Sequence, residues 1–389
     1  MAFHYRRLIP ENFQAFQDVV GRTFRFAPGY WDTFSRRIGP ENLRSLHQDG
    51  RMVAGLGVYR AEQWFGGRTL PCAAVAAVGV APEARGTGAA ASLMKSLLEE
   101  LHADGTPLAS LFASAQQLYR NVGFEQAGSR CRYQLAMSSI GVRDRELPVT
   151  QVPLESPEPF RATAAAHAKA TNGHLQRTQG LWERLLEHPD GHQAGFVIGE
   201  PDRPQGYLIY RHCVEHDETG HLLVRDMAAL TPAAARRLWT LIADHRSTIP
   251  HVHWCGPCVE PLLCLTLESK HVSSKVLRWM TRIVDVNSAL ASRGYAEDAS
   301  GELHLEVHDE ILPANNGRFV LRVSEGRAEV TSGGQGNLAL DIRSLPPLYT
   351  GFLPAHTLKF LGYLDGDERS LRQATQLFAG PEPWMPEIF

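Results

Sequence analysis

Between Val75 and Leu101 the hydrophobic period of the chain changes within a few residues, and few folds accommodate that change. Val75, Val78 and Val80 form a β-branched run that stops at Pro82. Gly86 and Gly88 follow, and then Leu93, Met94, Leu97, Leu98 and Leu101 recur on one helical face. A strand therefore feeds a helix through a glycine turn. The first N–H groups of such a helix lack intrahelical acceptors, and the helix dipole favours an anion beside them. Glycines at the turn remove the side chains that would hold a phosphate away from the backbone. The segment is a phosphate cradle.

Spacing narrows the choice of ligand. Arg85-Gly86-Thr87-Gly88-Ala89-Ala90 reads R-x-x-G-x-A, which is neither the dinucleotide G-x-G-x-x-G nor the P-loop G-x-x-x-x-G-K. Further on comes Leu118-Tyr119-Arg120-Asn121-Val122-Gly123-Phe124. Together these elements resemble the acetyl-coenzyme A loop and the later Tyr…Gly-Phe block of the GNAT N-acetyltransferase superfamily.

At 389 residues the chain is too long for one ordinary domain, and about 150 residues per domain suggests two or three. Hydrophobic residues at 43% and charged residues at 21% describe a folded chain, and the net charge of −3 argues against a nucleic-acid partner. The uncharged stretch Thr69 to Pro82 is shorter than the ~20 residues a bilayer span needs and reads as a buried strand. Met1 to Arg7 leads into Pro10-Glu11 without an apolar signal core, so we expect a cytoplasmic protein with no membrane partner.

Trp254-Cys255-Gly256-Pro257-Cys258 matches the thioredoxin active-site sequence, whose chemistry is thiol–disulfide exchange. That motif works near the start of a helix in a compact domain of its own. Here Pro261 follows closely, and Leu262 to Leu265 reads as buried structure inside a longer domain. His251 and His253 share a strand with the first cysteine, so the group is a poor zinc set, and we expect no metal. Ordinary thiols at a strand end are the preferred reading.

Three segments emerge. In residues 1–137, Phe13, Phe16 and Val20 mark a helix face, and Asp49-Gly50 and Gly66-Gly67 are hairpin turns joining strands around Leu43–His47, Val53–Tyr59 and Leu70–Val80. The phosphate loop, its helix and a strand at Leu108–Ala113 follow in GNAT order. Residues 138–282 open with the loop-like Glu155-Ser156-Pro157-Glu158-Pro159 and repeat the plan, with strands at Phe196–Ile198, Gly206–Tyr210 and His221–Ala228. Thr231-Pro232 then starts a helix with an N-cap and a proline at its first position. Leu230-Thr231-Pro232-Ala233-Ala234 replaces the glycine cradle, so this is a second, degenerate GNAT-like domain without coenzyme binding. Residues 283–389 carry alternating strands at Leu303–Val307, Phe319–Val323 and Ala328–Thr331, with turns at Asn315-Asn316-Gly317 and Glu325-Gly326. Short helical patterns follow Pro347 and Pro354, which looks like a sterol-carrier-like α+β fold. The expected fold class is α+β and α/β: two tandem GNAT-like domains, then the sterol-carrier-like domain.

This order of parts resembles the bacterial enhanced intracellular survival (Eis) acetyltransferases over essentially the whole chain. The loop Val78–Ala91, the block Ala113-Ser114-Ala115-Gln116-Gln117-Leu118-Tyr119, Trp279 with Arg282-Ile283-Val284-Asp285-Val286, and the terminal Phe389 carry the resemblance. It implies that acetyl-coenzyme A meets the strand backbone at Val78, Gly79 and Val80. It implies further contacts at the loop and helix start, Arg85, Gly86, Thr87, Gly88, Ala89, Ala90 and Ala91, and at the strand end, Ser114 and Ala115. Tyr119 is implied as general acid and the terminal carboxylate of Phe389 as general base. A hexamer is implied too, with polyamine-like acceptors such as aminoglycosides, or lysine side chains. Two departures stand out: Arg85-Gly86-Thr87-Gly88 lacks the family's consecutive arginines, and Ala115-Gln116 replaces its frequent acidic-plus-glycine pair.

The chemistry is consistent with these residue types. An amine with a pKa near ~10 arrives protonated and must lose a proton before attack, while the leaving thiolate must gain one, which a phenol can donate. The first segment has no cysteine next to a histidine, so direct attack is the simpler scheme. A chain end frays by default, yet Trp384, Met385, Ile388 and Phe389 are apolar and three prolines restrict the tail, so we expect it to dock. A carboxylate of pKa ~3.5 is a poor base in water and needs burial or a bound water. Glu387 reads either as a contact for a cationic substrate or as a solvated surface carboxylate; His47 and His102 show no ligand spacing. The competing class is a ligand- or lipid-binding protein that uses the sterol-carrier-like domain, with the acetyltransferase domains as scaffold.

Overall fold

The structure is a computed structural model that describes residues 2–24, 29–187, 193–214, 220–268 and 271–389. Its first unit is an antiparallel meander of β1 (Phe3–Arg7), β2 (Leu43–Gln48), β3 (Arg51–Phe65) and β4 (Arg68–Val80), followed by β5 (Leu108–Phe112) and β6 (Glu125–Ala136). Asp49-Gly50 and Gly66-Gly67 turn as the sequence leads one to expect: φ is positive at all four residues, the type I′ geometry that matches strand twist. Helices α1 (Phe13–Phe24) and α2 (Tyr30–Ile38) cover one face. A Cβ on Gly79 would lie 2.9 Å from Val20 Cα, so glycine there lets α1 rest directly on β4. Helix α3 (Ala89–Ala103) covers the other face, with Leu93, Met94, Leu97, Leu98 and Leu101 at 0% exposure. Each such side chain contributes about 1.5–3 kcal/mol of burial. A short α4 (Gln116–Arg120) sits between β5 and β6.

The second unit contains β7 (Val149–Val152), α5 (Glu158–Lys169), β8 (Leu175–Gln176), α6 (Gln179–Leu186), β9 (Gln193–Glu200), β10 (Arg203–Val214), β11 (Gly220–Ala229), α7 (Pro232–Ala243), β12 (His251–Gly256) and β13 (His271–Ile283). Its last strand leaves home. β13 lies between β5 and β6, pairing Trp279 with Phe112 on one side and Thr281 with Glu125 on the other. β12 then pairs with the far edge of β6. One sheet therefore runs through both units in the order β1-β2-β3-β4-β5-β13-β6-β12-β11-β10-β9-β7, with β8 paired to β3.

The third unit holds α8 (Val286–Ser292), β14 (Gly301–His308), β15 (Gly317–Ser324), β16 (Arg327–Ser332), β17 (Leu338–Asp341), α9 (Leu345–Tyr349), α10 (Ala355–Phe360), β18 (Leu364–Gly366) and α11 (Glu368–Leu377). Its sheet has the order β16-β15-β14-β17-β18. Pro346 and Pro347 sit in the first turn of α9 rather than before it, where their missing N–H groups are harmless. A buried ion pair fastens this unit to the others: Arg282, at the end of β13, gives both oxygens of Asp309 hydrogen bonds of 2.7 and 2.6 Å and also bonds Val122 O. Asp285 caps α8 by accepting from Ser288 N–H at 2.7 Å.

Candidate active site

Strands β4 and β5 run parallel only from Cys72–Leu108 to Ala74–Ser110 and then part. β5 continues along β13 as far as Phe112, whereas β4 continues along β3, so a wedge opens between them. Ala77, at φ 53°, marks a bulge in β4 at the mouth of the wedge. Beyond the bulge Ala81 N–H donates to Val53 O of β3. By the alternation of an antiparallel ladder, the peptide groups of Val80 and Val78 therefore face away from β3, into the wedge. Gly79 points the other way and serves the approach of α1.

The loop closes the wedge from above. Arg85, Gly86, Thr87 and Gly88 are exposed. Gly86 and Gly88 have φ of 78° and 90°, and a Cβ on either would meet nothing within 4 Å. The glycines are thus demanded by backbone conformation and leave open space above it. Thr87 Oγ1 donates to Ala84 O at 2.7 Å and tightens the turn. The first helical bond of α3 runs from Ser92 N–H to Gly88 O, and no side chain caps the helix. The N–H groups of Ala89, Ala90 and Ala91 are left for an anion, which fits a coenzyme pyrophosphate. Ser114 and Ala115 are exposed at the opposite lip, between β5 and α4.

Tyr119 stands on α4, 5% exposed, with its ring edge-on to Phe124 at 5.9 Å. Desolvation pushes its phenol up to about 12, so it stays protonated at neutral pH. Phe389 packs its ring against Phe112 at the end of β5, with centroids 6.0 Å apart.

The tail that carries Phe389 is docked, as its apolar composition suggests. Ser129 N–H donates to Pro383 O and Met385 N–H to Ser129 O, at 3.0 and 3.2 Å. Arg130 Nε reaches Pro386 O at 3.1 Å, and Met385 is 0% exposed. Glu387 is not the solvated carboxylate that its local sequence suggested. Its side chain is 6% exposed and takes a 2.7 Å bond from Arg177, which also pairs with Asp226 at 2.5 Å. Burial pushes the Glu387 carboxyl up, despite Arg177. A cavity of about 660 Å³ opens beside Pro386, Glu387 and Ile388, bounded by α2, α6, β6, β11 and β12. Sequence reasoning missed Arg177 and Asp226, which hold the tail, because their meeting with Glu387 is made only by the fold.

The second unit repeats the wedge and lacks the cradle. β11 and β12 are parallel from His221–His251 to Leu223–His253 and then separate. Thr231 Oγ1 accepts from Ala234 N–H at 3.2 Å, and Pro232 has no N–H to offer. The helix start is already capped. Pro381, Trp384 and Pro386 of the tail line the space beside β11, a cavity of about 300 Å³. The Cys-Gly-Pro-Cys segment leads from β12 into a turn rather than an α-helix, and Cys258 Sγ lies 2.8 Å from Cys131 Sγ. No group of three or more metal-ligating side chains occurs among the described residues.

Comparison with known proteins agrees with this architecture. An acetyltransferase (GNAT) domain profile matches residues 4–127, a second matches 173–283, and a sterol carrier protein domain profile matches 286–386. The chain is 37% identical to a GCN5-related N-acetyltransferase from Anabaena variabilis, covering 100% of both chains with a TM-score of 0.97. A GCN5-related N-acetyltransferase from Kribbella flavida is 27% identical, with a TM-score of 0.89 over 100% of this chain and 98% of that one. The chain belongs to the GCN5-related N-acetyltransferase family and is an N-acetyltransferase. Within that family it is Eis-like: it shares 28% identity with the N-acetyltransferase Eis of Mycobacterium tuberculosis, across 95% of this chain and 93% of that protein.

Proposed function

We propose that this chain transfers the acetyl group of acetyl-coenzyme A to a primary amine by direct attack, in the wedge of its first unit. The observation that carries the reading is the uncapped start of α3 under Gly86 and Gly88, beside a parted β4–β5 pair. The coenzyme supplies the activated acetyl thioester. Ala89 to Ala91 hold its phosphates, Val78 and Val80 hold its extended arm, and the Val80 N–H polarises the thioester carbonyl. Tyr119 donates a proton to the departing sulfur. The carboxylate of Phe389, directly or through a water, takes the proton from the amine. The domain division 1–137, 138–282 and 283–389, with the second unit lending β13 to the first, and assembly as a hexamer belong to the same proposal.

The lipid-carrier alternative leaves the glycine cradle of the first unit without a role. Leu303, Leu305, Leu321 and Leu338 of the third unit are buried in its core, and the depression on its surface mixes Glu306, Asp341, Lys359 and Asp365 with Val307, Leu340, Tyr363 and Leu364. No helix among the described residues is long and apolar enough to cross a membrane. The test is release of coenzyme A thiol from acetyl-coenzyme A across a panel of primary amines, with mass spectrometry of the enzyme. Amine-dependent thiol release without an acetylated enzyme is expected. An acetyl group trapped on the chain would replace direct attack with a two-step mechanism.

A further inference from the structure

The cavity beside the tail has a charge that the acceptors implied by family resemblance do not match. Seven arginines and two carboxylates line it. Both carboxylates are engaged: Glu187 takes a 2.7 Å bond from Arg37, and Glu387 is held by Arg177. Among the described residues, no carboxylate lies within ion-pair distance of Arg130, Arg132, Arg184 or Arg225. These four come from β6, α6 and β11 and converge on one space. Arg225 spends one nitrogen on the carbonyls of Arg184 and Leu185, and Arg130 spends one on Pro386 O. Each guanidinium has five donors, and the bonds to Pro386, Arg184 and Leu185 use only one nitrogen each of Arg130 and Arg225. Burial lowers the affinity of Arg225 for its proton, and the nearby Arg211, Arg184 and Arg130 lower it further against the opposing pull of Asp226. Like charges gathered around one cavity repel one another until an anion enters it. A polycation entering there would add to that repulsion.

Resting on the reading of this chain as an amine acetyltransferase, we propose that its acceptor is an anionic amine: a molecule that presents a primary amine to the Phe389 carboxylate and a phosphate or carboxylate to Arg130, Arg132, Arg184 and Arg225. Planar guanidinium groups suit such an anion, because two parallel N–H bonds fix its orientation as well as its charge. The cavity reaches the tail at Pro386 to Ile388, one residue from the terminal carboxylate, so an anion held by the arginines leaves the amine end near the base.

The experiment compares three acceptors that differ in charge: glucosamine 6-phosphate, glucosamine and the aminoglycoside kanamycin. Coenzyme A thiol release is measured for each with wild-type protein and with Arg132→Gln/Arg184→Gln. Acetyl-coenzyme A affinity is measured in parallel by calorimetry. We expect kcat/KM for the phosphorylated amine to exceed that for glucosamine by about tenfold or more, with kanamycin poorest. We expect the double variant to raise KM for the phosphorylated amine by a similar factor and to bring it level with glucosamine. Kanamycin turned over as well as or better than the phosphorylated amine, or a KM unmoved by the double variant, overturns the anionic assignment and leaves acetyl transfer standing. Failure of every amine together with failure to bind acetyl-coenzyme A overturns the underlying reading instead.

Discussion

Converting the terminal carboxylate of Phe389 to a carboxamide, by intein-mediated ligation of the last residues, isolates the proposed base without moving an atom of the tail. The anchors upstream are unaffected: Met385 stays buried, Pro386 O keeps its 3.1 Å bond from Arg130 and Glu387 its 2.7 Å bond from Arg177. The ring contact with Phe112 at 6.0 Å also remains. What is lost is the ability to accept a proton, and a positioned base is worth about 10²–10⁴-fold in rate. We therefore expect kcat/KM to fall by about that factor with the melting temperature unchanged. Phe389→Ala does the reverse, keeping the carboxylate and losing a ring pair worth about 0.5–1.5 kcal/mol, so its loss should stay below about tenfold. Deleting Phe389 shifts the carboxylate back by ~3.5 Å and should resemble the amide. The assay is thiol release at saturating acetyl-coenzyme A with the amine varied. An amide variant within about threefold of wild type, where a lost base would cost about 10²-fold, removes the carboxylate from the mechanism. A Phe389→Ala variant as damaged as the amide would make the ring the functional group.

Tyr119→Phe keeps the ring on Phe124 and removes the donor, so kcat should fall by about 10²-fold while acetyl-coenzyme A affinity survives. Because burial pushes the phenol up to about 12, no alkaline loss of activity below about pH 10 should trace to this residue in pH–rate profiles. Glu100 receives hydrogen bonds from Tyr5 and Arg44, and although burial works to raise its carboxyl, these partners bring it down to about 2. A depressed carboxyl stabilises the fold above its unfolded value near 4.5 and loses that contribution as pH falls toward 2. Denaturant melts of Glu100→Gln should therefore show a deficit of about 2–3 kcal/mol at pH 7 that shrinks below pH ~4.5. The Cys255–Cys258 pair should give no insulin reduction in a turbidity assay, since Cys258 faces Cys131 and no helix N-terminus activates Cys255.

Much of the first unit was legible because its signals are local. Gly86, Gly88 and the leucines of α3 announce a cradle and a helix within one short window, and Asp49-Gly50, Gly66-Gly67 and Glu325-Gly326 all adopt the positive φ that makes a tight hairpin. The insertion of β13 between β5 and β6 was not legible, because alternation shows that a strand exists but not which edge it joins. β17 and β18 are four and three residues long, too short to display a period. The site divides in the same way. The loop and Tyr119 lie in contiguous motifs, whereas the sequence leaves Glu387 open between a substrate contact and a solvated carboxylate, because nothing near it in sequence can hold it. Its partner Arg177 arrives from the link between β8 and α6 of the second unit. The arginines of the cavity beside the tail come from several elements, so their common charge exists only after folding.

We place the coenzyme site in the first unit alone, on the Gly86–Ala91 turn. Titration of acetyl-coenzyme A into the protein by calorimetry tests it directly. We expect one molecule bound per chain and binding weakened by about 10²-fold or more in Gly88→Val. Gly88 sits at φ 90°, where any side chain is strained as well as in the way of a phosphate, so circular dichroism must show that the variant is folded. Ala233→Val, at the equivalent turn of the second unit, should leave both affinity and stoichiometry unchanged. Two molecules per chain, or undiminished binding by a folded Gly88→Val protein, would contradict it.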